Sequence, residues 1–307
     1  MKKDKVSIIG AGMVGSTTAF GLIAAGITEE IALIDIDKKL AQAQAMDLQH
    51  SMPFWGYTDI KAGSYDDLID SPVVIITCGA AQKPGETRLD LLKKNAAIIK
   101  EIMPRVFRAN PDIVVIIVTN PVDILTNIAI KMFPKKKNQI FGSGTILDTA
   151  RFRYLLGEKM DVNPKSVHAF IIGEHGDSEL PLWSSATIGS TPIDRFVKLN
   201  EKQKKQIFEN AKNAAYAIIE GKQATYYAIA AGLVKLVKAV LLNKRTVFTV
   251  SHVLEGEMGV KGVSLSLPMV IGENGIERKI DIVLNAKEKQ LFKASAARLK
   301  MAEDGLK

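Results

Sequence analysis

The sequence predicts an α/β protein: a doubly wound, mostly parallel sheet in the first half, followed by an α+β domain. Three observations carry this reading. Short apolar runs at residues 6–9, 31–34, 73–77 and 113–118 alternate with stretches of helical spacing. A glycine-rich turn, Gly10-Ala11-Gly12-Met13-Val14-Gly15, directly follows the first run and opens a helical stretch. Beyond about Gly142 the regular alternation gives way to helices and strands in mixed order.

The runs of the first half are apolar nearly throughout, not at every second residue. Such strands are buried on both faces, as in a parallel sheet covered by helices. In the second half, residues 148–160 have the spacing of a helix, and 167–172 read as a strand leading into Gly173-Glu174-His175-Gly176. A polar amphipathic helix follows from about Glu201, and a long helix spans about 225–242. Strand-like runs at 246–250 and 264–271 and a charged helix from about Ala286 complete the chain. Neither an internal repeat nor a low-complexity linker intervenes. The predicted domains are residues 1–142 and 143–307.

Composition narrows the class. A chain of 307 residues that is 47% hydrophobic and 24% charged can bury a large core, and it is neither disordered nor membrane-spanning in character. The lone cysteine, Cys78, continues an apolar run and reads as a core residue of a protein in a reducing compartment. A net charge of +8 raises nucleic-acid binding, but Lys135–Lys137 and the lysines from Lys198 to Lys205 are short, scattered and free of interleaved aromatics. They read as solvated faces. The excess charge instead favours small anionic substrates. Met1-Lys2-Lys3 ahead of residues 6–27 superficially resembles a leader peptide, but Gly10, Gly12, Gly15 and Gly21 break the apolar run. No targeting segment is read, and a cytoplasmic protein is expected.

The glycine turn has the form of a Rossmann-type dinucleotide site. Gly10 permits the tight turn, Gly12 lets the backbone approach a pyrophosphate, and Gly15 allows close helix packing. The helix start adds free N–H groups and positive potential. Asp35 ends the second strand, 20 residues after Gly15. A carboxylate there accepts hydrogen bonds from a ribose diol and repels a 2′-phosphate, so NAD is favoured over NADP.

The second half carries a second set of chemical groups. His175 lies in a Gly-Glu-His-Gly turn, and Asp148 and Arg151 form an Asp-x-x-Arg. They are a proton donor near neutrality, a carboxylate able to sustain an imidazolium, and a cation able to hold a substrate carboxylate. Spacing alone does not pair them, and no metal site is read.

Several strings together resemble the L-lactate/L-malate dehydrogenase family. Besides the glycine turn they are Gln82-Lys83-Pro84-Gly85-Glu86-Thr87-Arg88-Leu89, Thr119-Asn120-Pro121-Val122-Asp123, Gly142-Ser143-Gly144-Thr145-x-Leu147-Asp148-x-x-Arg151 and Gly173-Glu174-His175-Gly176-Asp177. They occur in family order and cover nearly the whole chain. The resemblance implies hydride transfer between NADH and a 2-oxo acid, with His175 as proton donor and acceptor and Asp148 as its orienting carboxylate. Arg151 matches the residue that forks to the substrate carboxylate, which lysine could not do. Arg88, on a loop from about Gly79 to Leu91, matches the arginine that polarises the reacting carbonyl. Asn120 and Thr225 match positions lining the substrate and nicotinamide pocket. Ser143 and the backbone of Val118, Thr119 and Asn120 match nicotinamide contacts; Met13, Val14, Tyr65, Gly79 and Ala80 match other cofactor contacts.

Gln82 carries the choice of substrate. Malate-specific members place arginine at the matching position, to pair with the second carboxylate of oxaloacetate. A neutral glutamine leaves that charge unpaired in a closed site, at a cost of roughly 3–5 kcal/mol by analogy with broken buried pairs. Pyruvate, giving L-lactate, is therefore the expected substrate; malate or another 2-hydroxy acid, including larger ones, is the alternative. A non-catalytic dinucleotide-binding regulator would keep the glycine turn and Asp35 without needing His175, Asp148, Arg88 and Arg151 together. Arg153 and His168 match effector-binding positions of members activated by fructose bisphosphate, where they meet across a subunit interface. The resemblance implies a homotetramer.

Overall fold

The structure, a computed structural model, describes residues 4–80 and 85–306. Gln82 lies outside the described residues. Six strands form the parallel part of a nine-stranded sheet: β1 (Lys5–Ile9), β2 (Glu30–Ile34), β3 (Asp59–Ala62), β4 (Val73–Ile76), β5 (Val114–Ile117) and β6 (Ile140–Gly142). Their order is β3-β2-β1-β4-β5-β6, so the winding reverses between β1 and β4. In such sheets ligands bind at that switch point, beyond the carboxyl ends of the strands. Every residue of β1, β2, β4, β5 and β6 is buried, which is why these strands read as continuous apolar runs. The charged residues that open β1 and β2 are paired: Lys5 Nζ lies 3.1 Å from Glu30 Oε1, and Lys61 Nζ lies 3.2 Å from the same oxygen.

Six helices connect or follow these strands: α1 (Met13–Ala25), α2 (Lys38–His50), α3 (Met52–Trp55), α4 (Arg88–Ala109), α5 (Val122–Met132) and α6 (Ile146–Met160). The α4 helix starts cleanly because Thr87 and Asp90 form a capping box, each side chain accepting from the other's backbone N–H.

The expected strand at 167–172 is two strands, β7 (Val167–His168) and β8 (Ile171–Ile172). They have different partners. After β9 (Leu180–Pro181), β10 (Thr187–Ile188) and β11 (Thr191–Pro192), β7 pairs with β10 and β8 with β9. At the break, side chains of α6 replace ladder bonds: Arg153 Nε donates to Ala169 O at 2.8 Å, and Ile171 N donates to Thr149 Oγ1 at 3.0 Å.

The chain continues through α7 (Ile193–Phe196), α8 (Glu201–Lys222), α9 (Tyr227–Leu241), β12 (Thr246–Glu255), β13 (Lys261–Gly272), β14 (Gly275–Lys279) and α10 (Ala286–Asp304). The helix expected from about 225 starts at Tyr227, because the backbone of Tyr226 is not helical, and Thr225 lies in the preceding loop. The sheet does not stop at Gly142: β12 lies antiparallel to β6, with Ser251 opposite Gly142, and β13 and β14 extend it. The approach needs glycine, since a Cβ on Gly142 would stand 2.5 Å from Thr126 Oγ1 and 2.8 Å from Val122 Cγ2. One apolar core runs through this sheet, and a second, around Phe152, Val167, Ile171 and Ala211, lies between α6 and α8. Among the described residues no helix is long and apolar enough to cross a membrane.

Candidate active site

The loops leaving β1, β2, β4, β5 and β6 meet along the carboxyl edge of the sheet. Gly10 takes φ +112°, and a Cβ there would lie 2.5 Å from Cys78 N. A Cβ on Gly15 would collide with Gly10 O at 1.9 Å, whereas one on Gly12 would project into open space. Gly12 caps α1 without any side-chain bond, and the first turn holds no acidic residue. That leaves free N–H groups beside open room, a cradle for an anionic group. Asp35 is anchored to this turn: Ala11 N donates to its Oδ2 at 2.7 Å and Asp37 N to its Oδ1 at 2.9 Å. Next to it Ile36 is fully exposed, an apolar surface that sequence reasoning missed.

The loops after β4 and β5 are tied to one another. Thr119 Oγ1 donates to Cys78 O at 2.6 Å. Asn95, 2% exposed on α4, accepts from Ala80 N at 2.8 Å and donates through Nδ2 to Asn120 O at 2.7 Å. A Cβ on Gly79 would stand 2.5 Å from Thr119 Cγ2. Ser143 is buried after β6, its N–H donating to Ile117 O at 2.8 Å. Val118 is half-buried and Asn120 exposed, and the Asn120–Pro121 peptide is cis. Tyr65 follows β3, its ring covered by the Arg105 guanidinium at 3.7 Å. Burial pushes the Cys78 thiol up to about 11, so it stays protonated and is no nucleophile.

The second group of residues converges on Asp148, buried in the first turn of α6. Its Oδ2 lies 2.5 Å from His175 Nδ1, and its Oδ1 accepts from Arg151 Nη1 at 3.0 Å. Burial opposes its ionisation, but the imidazole and the guanidinium outweigh burial and hold the carboxyl below its ordinary range. Burial likewise disfavours a charged His175, yet Asp148, together with Asp123 and Glu179, raises it to about 9. At neutral pH the arrangement therefore presents an imidazolium beside a guanidinium: a proton donor next to an anion-binding fork.

Two further carboxyls, Asp123 and Glu179, act on this pair, and a third, Asp177, stands at the rim. Asp123, buried at the start of α5, accepts from His175 N at 2.7 Å, and burial lifts its carboxyl to about 6. Glu179 is buried, and its Oε1 has no hydrogen-bond partner among the described residues. Asp177 Oδ2 accepts from Arg88 Nη1 at 3.2 Å and Arg298 Nη2 at 3.1 Å, while Tyr216 donates to Oδ1 at 3.1 Å. Arg88 thus stands at the rim on Asp177, not in the Asp148–Arg151–His175 cluster. Half-buried Thr225 makes no hydrogen bond to that cluster among the described residues.

Residues 4–142 match the lactate/malate dehydrogenase NAD binding domain, and residues 145–306 match the lactate/malate dehydrogenase alpha/beta C-terminal domain. The chain belongs to the lactate/malate dehydrogenase family. It is 47% identical over 301 residues to an L-lactate dehydrogenase of Acetivibrio thermocellus, covering 96% of this chain and 95% of the relative. Identity to an L-lactate dehydrogenase of Thermus aquaticus is 45% over 307 residues, covering 98% and 99%. Among solved structures, the minor L-lactate dehydrogenase of Enterococcus mundtii superposes with a TM-score of 0.96 at 39% identity, covering 100% of this chain and 99% of that one.

Within this lactate/malate dehydrogenase, sequence reasoning gave no role to Asn95, Asp123, Asp177 or Glu179. Asn95 had a signal: it shares helical spacing with Leu92, Ala96 and Ile99 on the buried stripe of α4, where an amide must bond something specific. Asp123 and Asp177 lie inside the family strings, whereas Glu179 carries no pattern at all.

Proposed function

We propose that this protein is an NAD-dependent L-lactate dehydrogenase, reducing pyruvate reversibly to L-lactate. The observation that carries the reading is the Asp148–His175 contact with Arg151 on the other carboxylate oxygen. The L-lactate dehydrogenase relatives support it. NADH, when bound, supplies the hydride. The free N–H groups at Gly12 and the start of α1 would hold its pyrophosphate, and Asp35 its ribose diol. Arg151 forks to the pyruvate carboxylate, and His175 Nε2 gives its proton to the carbonyl oxygen while Asp148 sustains the imidazolium. On leaving Asp177, Arg88 would polarise the carbonyl, and excluding water would strengthen its field. Gln82, being neutral, offers no charge partner for a second carboxylate.

The reading extends to a cytoplasmic homotetramer with its cofactor and substrate domains divided at 142/143. It also includes fructose bisphosphate as an effector bound at Arg153 and His168. Exposure of His168 and the anchoring of Arg153 on Ala169 O, with its guanidinium over the Phe170 ring, support that site. The test of the activity is NADH oxidation with pyruvate, oxaloacetate and a branched 2-oxo acid. Pyruvate is expected to exceed oxaloacetate in kcat/KM by about a hundredfold. Preference for oxaloacetate, or no turnover, overturns the reading.

A further inference from the structure

Glu179 is 7% exposed, its Oε1 meets no hydrogen-bond donor among the described residues, and one ligand atom from each of Asp148, His175 and Glu179 lies within 4.8 Å of the others. A buried carboxyl with an unpartnered oxygen beside a second carboxylate is costly to ionise, and groups so placed are candidates for a functional role. A metal does not fit the trio. Asp148 Oδ2 and His175 Nδ1 are 2.5 Å apart, the distance of a shared proton, whereas two ligands on one tetrahedral zinc stand about 3.3 Å apart.

We infer that Glu179 is a positioning residue of the acid/base centre, whose charge decides how far into alkaline solution His175 keeps its proton. The inference rests on the reading of His175 as the proton donor to pyruvate. The groups facing Glu179 are Asp148 and Arg151 from α6, Lys212 from α8 and His175 from its own loop. Burial first, then the Asp148 anion, pushes its carboxyl up to about 9, the same region to which His175 is raised. The two protons therefore leave as a coupled pair. When Glu179 ionises, the new anion tightens the hold of His175 on its own proton, so the donor form outlasts the first ionisation. Glu179 itself does not touch the substrate: the transferred proton comes from His175 Nε2.

The test is the pH profile of kcat/KM for pyruvate reduction from pH 6.5 to 10.5 in the parent, Glu179→Gln and Glu179→Asp. The alkaline fall of Glu179→Gln is expected at least about one pH unit below that of the parent, and Glu179→Asp, which keeps a carboxyl, restores it in part. A Glu179→Gln profile that superimposes on the parent, or no restoration by aspartate, overturns the proposal. If Glu179→Gln does not fold, carboxyl-labelled glutamate in the parent gives the answer by NMR. One glutamate titrating above pH 7 is expected; a protein whose glutamates all titrate below pH 6 overturns the proposal. That titration needs no substrate, so an enzyme inert toward pyruvate would sink the activity and leave the carboxyl to be judged separately.

Discussion

Asp148 Oδ2 and His175 Nδ1 stand 2.5 Å apart although 27 residues separate them in the chain. The carboxylate raises the imidazole, so removing its charge must lower it. Asp148→Asn is expected to move the alkaline fall of pyruvate reduction to lower pH and to reduce kcat/KM more at pH 8 than at pH 6, by at least about tenfold at pH 8. Steady-state profiles of parent and variant check this; coincident alkaline limbs would reject the pairing as functional.

The same histidine ties stability to pH. Its ordinary value is 6.5 and its folded value about 9, so between them the fold binds a proton that the unfolded chain does not. Its contribution is complete below about pH 6.5 and is lost as pH rises through about 9. Denaturant titrations of the cofactor-free protein are expected to show the parent's advantage over His175→Asn shrinking by about 1–3 kcal/mol across that window. A constant advantage would contradict it.

Asn95 holds two cofactor-side loops through one amide. Asn95→Ala removes the partner of Ala80 N–H and of Asn120 C=O, two partly buried hydrogen bonds each worth about 0.5–1.5 kcal/mol. The expected result is weaker NADH binding, by at least about fivefold, together with a lower Tm. Fluorescence titration with NADH decides: unchanged affinity with a lowered Tm would make Asn95 purely structural.

Much of this was legible in the sequence, and the reason is physical. Strands buried on both faces must be apolar along their length, and only glycine fits at Gly10 and Gly15, so the cofactor half announces itself. The second half does so less. Residues 167–172 look like one strand because apolar spacing cannot show that Ala169 and Ile171 bond to side chains of α6. Glu179 and Asn95 were missed because burial of a single polar residue is a tertiary fact. The Asp148–His175 pair was reached only through the family strings.

Substrate choice is tested at Gln82. Gln82→Arg supplies a partner for a second carboxylate, and the ratio of kcat/KM for oxaloacetate to that for pyruvate is expected to rise at least about tenfold. An unmoved ratio removes Gln82 from the specificity assignment.

Regulation is tested at Arg153 and His168. Two such pairs facing each other across a dimer axis would repel until a bisphosphate neutralised them. Fructose bisphosphate is expected to lower the pyruvate KM in the parent, and less so at high salt, which screens the phosphate contacts. Arg153→Ala should lose the response. If the parent does not respond, or Arg153→Ala responds equally, the effector site is withdrawn.

The seam at Gly142 and Ser251 governs how this protein can be recombined with its relatives. Because β6 and β12 are neighbours in one sheet, the two halves are stitched by main-chain hydrogen bonds and not merely packed. A hybrid joined there must bring a residue as small as glycine, or its side chain wedges between Thr126, Val122 and Ser251. Even a matched residue must recreate the pairing of strands that never evolved side by side. Moving a substrate preference from one relative to another is therefore better attempted through single side chains than by exchanging halves.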